Sequence, residues 1–80
     1  MRLPIEMQQL GPDFRSGVIV EWLKAVGDRV VEGEPLILVE TEKVDVDVAA
    51  LETGILAEIV AEQGAEVALG EIIGYLEVED

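Results

Sequence analysis

Along residues 44–48, VDVDV, apolar and acidic side chains alternate, so Val44, Val46 and Val48 share one face of an extended segment that runs on to Ala49. Five other stretches have the same short, strand-like character: LPIEM (3–7), GVIVEWLK (17–24), PLILVET (35–41), GILAEIVA (54–61) and IIGYLEV (72–78). Between them lie turn regions marked by glycine, with Gly27 and Gly33 around Val30, then Gly64 and Gly70. QQLGPDFRS (8–16) reads as a loop. The Ala and Glu content of AVGDRVVEG and LAEIVAEQGAEVAL would permit helices, but glycines at regular short intervals argue against them. The pattern predicts an all-β fold of many short strands.

Shifting the chain by thirty-seven residues aligns 17–42 with 54–79, and eight of the twenty-six aligned positions are identical. These are Gly17/Gly54, Glu21/Glu58, Gly27/Gly64, Val30/Val67, Gly33/Gly70, Glu34/Glu71, Glu40/Glu77 and Glu42/Glu79. Two copies fall short of the roughly three that a solenoid needs. The repeat therefore predicts two similar half-sheets packed face to face about a pseudo-two-fold axis. Lys43 lies just past copy one and matches Asp80 under the shift, so the Lys43 hairpin and the chain end are expected at opposite ends of the sandwich.

Composition narrows the function. Eighty residues make one small domain, 1–80, with a thin core of Val, Ile, Leu and Ala; the aromatics are Phe14, Trp22 and Tyr75. Trp22, in mid-strand, is expected in that core. The formal net charge of −13 disfavours nucleic acid and anionic membrane surfaces as partners, and no apolar run reaches the length of a membrane span. No cysteine is present, which suits a reducing compartment. There is also no histidine, one serine (Ser16) and two threonines (Thr41, Thr53), so the usual pairings of a nucleophile with a base cannot be assembled. The domain is expected to be no enzyme in its own right.

The charge is uneven. From Val30 to Asp80 there are fourteen acids and one cation, Lys43. Read by itself, Lys43 is a solvated turn lysine forming a weak ion pair worth ~0–1 kcal/mol, or a guard on a strand edge. The other reading is a modification site, with a dedicated ligase recognising the exposed hairpin and activating the incoming acid. Asp45 and Asp47, with Glu40 and Glu42 on the preceding strand, form an acidic face. They lack the spacing and glycine of a calcium loop, so this is a solvated surface rather than a metal site.

The stretch LGPDFRSGVIVEWLKAVGDRVVEGEPLILVETEKVDVDV resembles the lipoyl domain of 2-oxo acid dehydrogenase acyltransferases. The likeness covers 3–78 and is most specific in VETEKV, which matches the family's V-E-T-D-K-[AV]. G-D-x-V-x-x-G at 27–33 and the eleven-residue step from Lys43 to Gly54 match too. Glu42 stands where Asp is usual, Leu51 precedes Gly54 where Pro is common, and Ser16 replaces a frequent Glu.

The resemblance implies a flattened β-barrel of two four-stranded antiparallel sheets, the hammerhead fold shared by lipoyl and biotinyl domains. It implies covalent lipoate on Lys43, with Glu42 and Val44 as flanking recognition residues. It also implies a monomeric carrier forming the N-terminal part of a longer acyltransferase chain. The implied partners are a lipoate ligase or lipoyl transferase, a thiamine-dependent 2-oxo acid decarboxylase, the acyltransferase core and dihydrolipoyl dehydrogenase. The implied location is the bacterial cytoplasm or, second, the mitochondrial matrix. ETEKV mildly favours 2-oxoglutarate, branched-chain or acetoin-cleaving complexes over pyruvate. In the family, the loop at 8–16 lies beside the lysine and helps partners tell domains apart; Phe14 and Arg15 equally suit a plain surface connection. Two alternatives stand beside lipoate. A biotinyl carrier has the motif A-M-K-M, against Glu42 and Val44 here; an unmodified β-sandwich interaction module is the other.

Overall fold

The computed structural model describes residues 1–79; Asp80, the counterpart of Lys43 under the repeat, lies outside the described residues. Eight strands form: β1 Arg2–Glu6, β2 Ser16–Trp22, β3 Arg29–Val30, β4 Pro35–Glu40, β5 Asp45–Ala49, β6 Gly54–Ile59, β7 Glu66–Ala68 and β8 Ile72–Glu77. They make two four-stranded sheets ordered β1-β8-β6-β3 and β5-β4-β2-β7, with every pairing antiparallel. No helix is present among the described residues.

The repeat maps one sheet onto the other strand for strand. β2, β3 and β4 correspond to β6, β7 and β8, and the burial pattern along β4 recurs unchanged along β8. The two copies do not form separate half-sheets, however. Each lends its short middle strand to the other's sheet, β3 to β6 and β7 to β2. The crossing is made by matched backbone bonds. Gly27 N donates to Leu56 O at 2.8 Å and Leu56 N to Asp28 O at 2.9 Å; the second copy repeats this as Gly64 N to Ile19 O at 2.7 Å and Ile19 N to Ala65 O at 2.9 Å. Gly27 and Gly64 make these turns with φ of 97° and 89°, a region that side chains rarely adopt. The residue pattern marks β7 only as a turn region; with three residues it is too short to show a period, and only its equivalence to Val30 distinguishes it.

Copy identity also has a polar cause. Glu34 and Glu71 each cap their own turn, accepting from the amides of Val31 at 2.7 Å and Ala68 at 2.9 Å. Bonding to the Val31 amide, and then to Lys24, holds the Glu34 carboxyl below the ordinary glutamate value of 4.5. A carboxyl lowered by folding stabilises above its unfolded pKa, and that contribution is lost as pH falls through the folded value. Thermal melts of wild type and Glu34→Gln should thus differ by a constant amount at neutral pH and converge below pH 4.5. A gap that persists in acid would show that charge on Glu34 has no part in it.

The core lies between the sheets and is aliphatic, with Ile19, Ile37, Val39, Leu56 and Ile73 fully buried. Met7 follows the end of β1 rather than belonging to that strand, and it is buried as well. Trp22 is only half-buried. Its indole N–H donates to Ala61 O at 2.7 Å, and its ring tip reaches over Gly74 in the opposite sheet. With its donor satisfied by that carbonyl, the ring packs against the edge of the core and closes its rim, rather than lying at the centre as its mid-strand place predicts.

Candidate functional site

β4 and β5 form a hairpin in which Glu40 pairs with Asp45, and the four residues between them are Thr41–Val44. Two central residues in a tight hairpin usually take positive φ, as in Asn-Gly turns. Neither Glu42 nor Lys43 does so. The turn closes through Thr41, whose N–H donates to Val44 O at 2.9 Å. The Thr41 hydroxyl donates to the same carbonyl at 2.7 Å and accepts longer bonds from Val44 N at 3.3 Å and Lys43 N at 3.4 Å. A threonine closing a turn with its side chain is a known local device. The strand pattern marks Thr41 only as the end of a strand; its place two residues before Lys43 is the available signal.

Glu42, Lys43 and Val44 are all exposed at this tip. The Lys43 ammonium makes no ion pair or hydrogen bond among the described residues. Val44 is 60 % exposed, although alternation puts it on the same face as buried Val48. β5 begins at Asp45, so Val44 stands beyond the sheet edge with no opposing layer to cover it. At the hairpin base the carboxylates of Glu40 and Asp45 sit directly across from each other, a like-charge pairing that costs stability. Asp47 is also exposed on β5, and among the described residues no group of three or more acidic or other ligating side chains gathers to hold a metal ion.

The loop at 8–16 starts beside the far end of β5, where the Gln8 side chain donates to Ala49 O at 2.9 Å, and its later part reaches the end of the molecule that holds the tip. Phe14 is half-buried, with its ring against Gly17, whose neighbours across the sheet are Val39 and Glu40. Phe14, Arg15, Pro12 and Leu69 line a shallow cleft there. Arg15 is exposed.

The other end of the molecule holds the chain ends. Val78 N donates to Met1 O and the Met1 ammonium to Val78 O, both at 2.7 Å. β1 pairs with β8 as β5 pairs with β4: Arg2 faces Glu77 as Asp45 faces Glu40. The chain ends thus occupy the place equivalent to the Lys43 tip. They lie by Gly54 and Ile55, near the start of β4, a full strand length from that tip.

A single exposed lysine thus stands on a hairpin tip at the end of the β-sandwich opposite Met1 and Val78. The family described as "Biotin-requiring enzyme", which joins biotinyl and lipoyl domains, matches residues 4–76. The solution structure of the lipoyl domain of the 2-oxoglutarate dehydrogenase complex of Azotobacter vinelandii superposes with a TM-score of 0.75 at 31% identity, covering 98% of this chain and 99% of that one. This chain is a lipoyl domain. The two antiparallel four-stranded sheets agree with the all-β sandwich predicted from the pattern, and with the hammerhead fold.

Longer proteins align with most of this chain. The dihydrolipoyllysine-residue succinyltransferase component of the Bacillus subtilis 2-oxoglutarate dehydrogenase complex is 43% identical over 72 residues, 90% of this chain and 17% of that protein. Acetyltransferase component 2 of the mitochondrial pyruvate dehydrogenase complex of Arabidopsis thaliana is 47% identical over 77 residues, 95% of this chain and 14% of that protein. The domain thus spans about a sixth of these relatives or less.

Proposed function

We propose that Lys43 is the attachment point for lipoate, with Glu42 and Val44 read by the attaching enzyme, and that the domain carries acyl groups and electrons within a 2-oxo acid dehydrogenase complex. The observation that carries this reading is the exposed ammonium of Lys43 at the tip of the β4–β5 hairpin, unbonded among the described residues. Acylating that amine leaves no partner stranded, so the residues present fit an amide-linked arm. The arm's dithiolane supplies the acyl-accepting and redox chemistry when bound. The protein's own part is to hold the amine clear of the sheets and to surround it with a recognisable acidic surface.

In this reading the domain belongs to a dihydrolipoyl acyltransferase and is not itself catalytic. It visits a thiamine-dependent decarboxylase, the acyltransferase core and dihydrolipoyl dehydrogenase, in the cytoplasm or the mitochondrial matrix. Anchoring the arm to one tip raises its effective concentration at each of these sites. The chain ends lie at the far pole, so a linker attached there would leave the tip unobstructed. Biotin is the weaker cargo, because Glu42 and Val44 flank the lysine where a biotinyl domain has methionines.

Intact mass separates the readings. Protein incubated with a lipoate ligase and lipoate should gain one lipoyl group. Protein incubated with a biotin ligase and biotin should gain nothing. No added mass under either condition would leave an unmodified interaction module, and biotin in place of lipoate would reverse the choice of cargo.

A further inference from the structure

We infer that the Thr41 hydroxyl is the positioning group that presents Lys43, holding the tip in a turn that its own backbone does not otherwise favour. The inference rests on the lipoyl reading of Lys43 and adds a residue that performs no chemistry.

Three observations meet here. The tip residues Glu42 and Lys43 both keep φ out of the positive range, so the tip lacks the primed turn that matches the twist of paired strands. An unprimed turn splays its strands and needs another tie. Of the backbone groups at the tip, only Thr41 N–H and Val44 O bond to each other. The amides of Lys43 and Val44 turn toward the Thr41 hydroxyl, which also donates to Val44 O. One oxygen thus ties three backbone groups, on the two residues that carry and follow the target amine.

The tip also works against repulsion. Glu40 and Asp45 face each other directly below it, and Glu42 adds a third carboxylate. The surface that makes the tip acidic is also the one that pushes the hairpin open. Thr41 is half-buried and lies between this repulsion and the turn. Removing its hydroxyl should leave the sheets intact and let the tip sample several conformations. A ligase that accepts only one of them then meets a smaller competent fraction. Apparent affinity falls by that fraction, while turnover of the bound, correctly held tip is unchanged.

The test compares wild type, Thr41→Val and Thr41→Ser as substrates of a lipoate ligase, with rates read by intact mass. Thr41→Val, which keeps the shape and loses the hydroxyl, should raise KM roughly three- to tenfold with kcat unchanged. Thr41→Ser, which restores the hydroxyl, should return KM to within about twofold of wild type, since only a methyl group is lost. Amide exchange supplies a readout that needs no lipoate: in wild type the Val44 amide should exchange more slowly than that of Glu42, which has no acceptor, and in Thr41→Val the two should converge.

Equal KM for wild type and Thr41→Val overturns the inference, as does a Thr41→Ser variant as impaired as Thr41→Val. Should Thr41→Val fail to fold, the exchange order in wild type and the Thr41→Ser kinetics still decide. If wild type itself takes up no lipoate, the lipoyl reading of Lys43 has failed; the exchange result then judges the turn separately.

Discussion

Lys43→Gln should take up no lipoate under conditions that load the wild type completely, and its melting temperature should barely move. The chain has one other lysine, Lys24, whose ammonium is ion-paired with Glu34 at 3.3 Å beside a turn that the glutamate caps. That lysine is half-buried and does not stand on a hairpin tip. Among the described residues the Lys43 ammonium makes no bond that the substitution would break, so its stability effect should stay within about 0.5 kcal/mol. For a domain of this size that is a few degrees at most, given roughly 4–8 °C per kcal/mol. Lys43→Arg keeps the charge but offers no primary amine, and it should fail as completely. An adduct that survives in Lys43→Gln would place the attachment elsewhere and undo the proposal.

Gly54→Ala should be the most damaging single methyl group in the domain. A β-carbon at Gly54 would sit 2.4 Å from the backbone oxygen of Glu77 in the neighbouring strand, inside any tolerable contact. The backbone of β8 is held by bonds to both β1 and β6 and cannot retreat without opening the sheet. Its repeat partner Gly17 is crowded differently. There the closest atom is a methyl carbon of Val39 at 2.7 Å, with the Glu40 oxygen at 3.0 Å. Val39 is fully buried and can yield only by a small shift, but a side chain shifts more readily than a paired strand, so Gly17→Ala should cost about 1–3 kcal/mol, the usual range for overpacking. Gly54→Ala should exceed that range, at about 3 kcal/mol or more, and lower the melting temperature by roughly 12 °C or beyond. Thermal melts of the two variants side by side check this. Equal losses would mean that β8 yields as readily as a valine side chain.

Much of this fold is legible in the order of residues along the chain. Alternation at Val46 and Val48 marks a half-buried strand, and the thirty-seven-residue repeat already implies a two-fold. Three of the identical pairs have a visible structural cause: Gly17 and Gly54 in close packing, Gly27 and Gly64 in their φ, Glu34 and Glu71 in capping. What the repeat conceals is the exchange of β3 and β7. Pairing of two- and three-residue strands leaves no period, and partner choice is set by bonds between distant segments. The equivalence of β1 and β5 is hidden for another reason. β5 follows its copy while β1 precedes the other, so no single shift aligns both pairs. Lys43 stands out by charge alone, whereas Thr41 looks like any strand threonine until the turn is built.

The bonds between Met1 and Val78 mark a seam that occupies, among the described residues, the place the Thr41–Val44 turn fills at the other pole. A Thr-Glu-Lys-Val segment put in place of Val78 and Met1, joining Glu77 to Arg2, with the chain reopened in the loop at 8–16, would close that seam. The product would be a circular permutant with two hairpin tips at opposite poles, each offering a lysine.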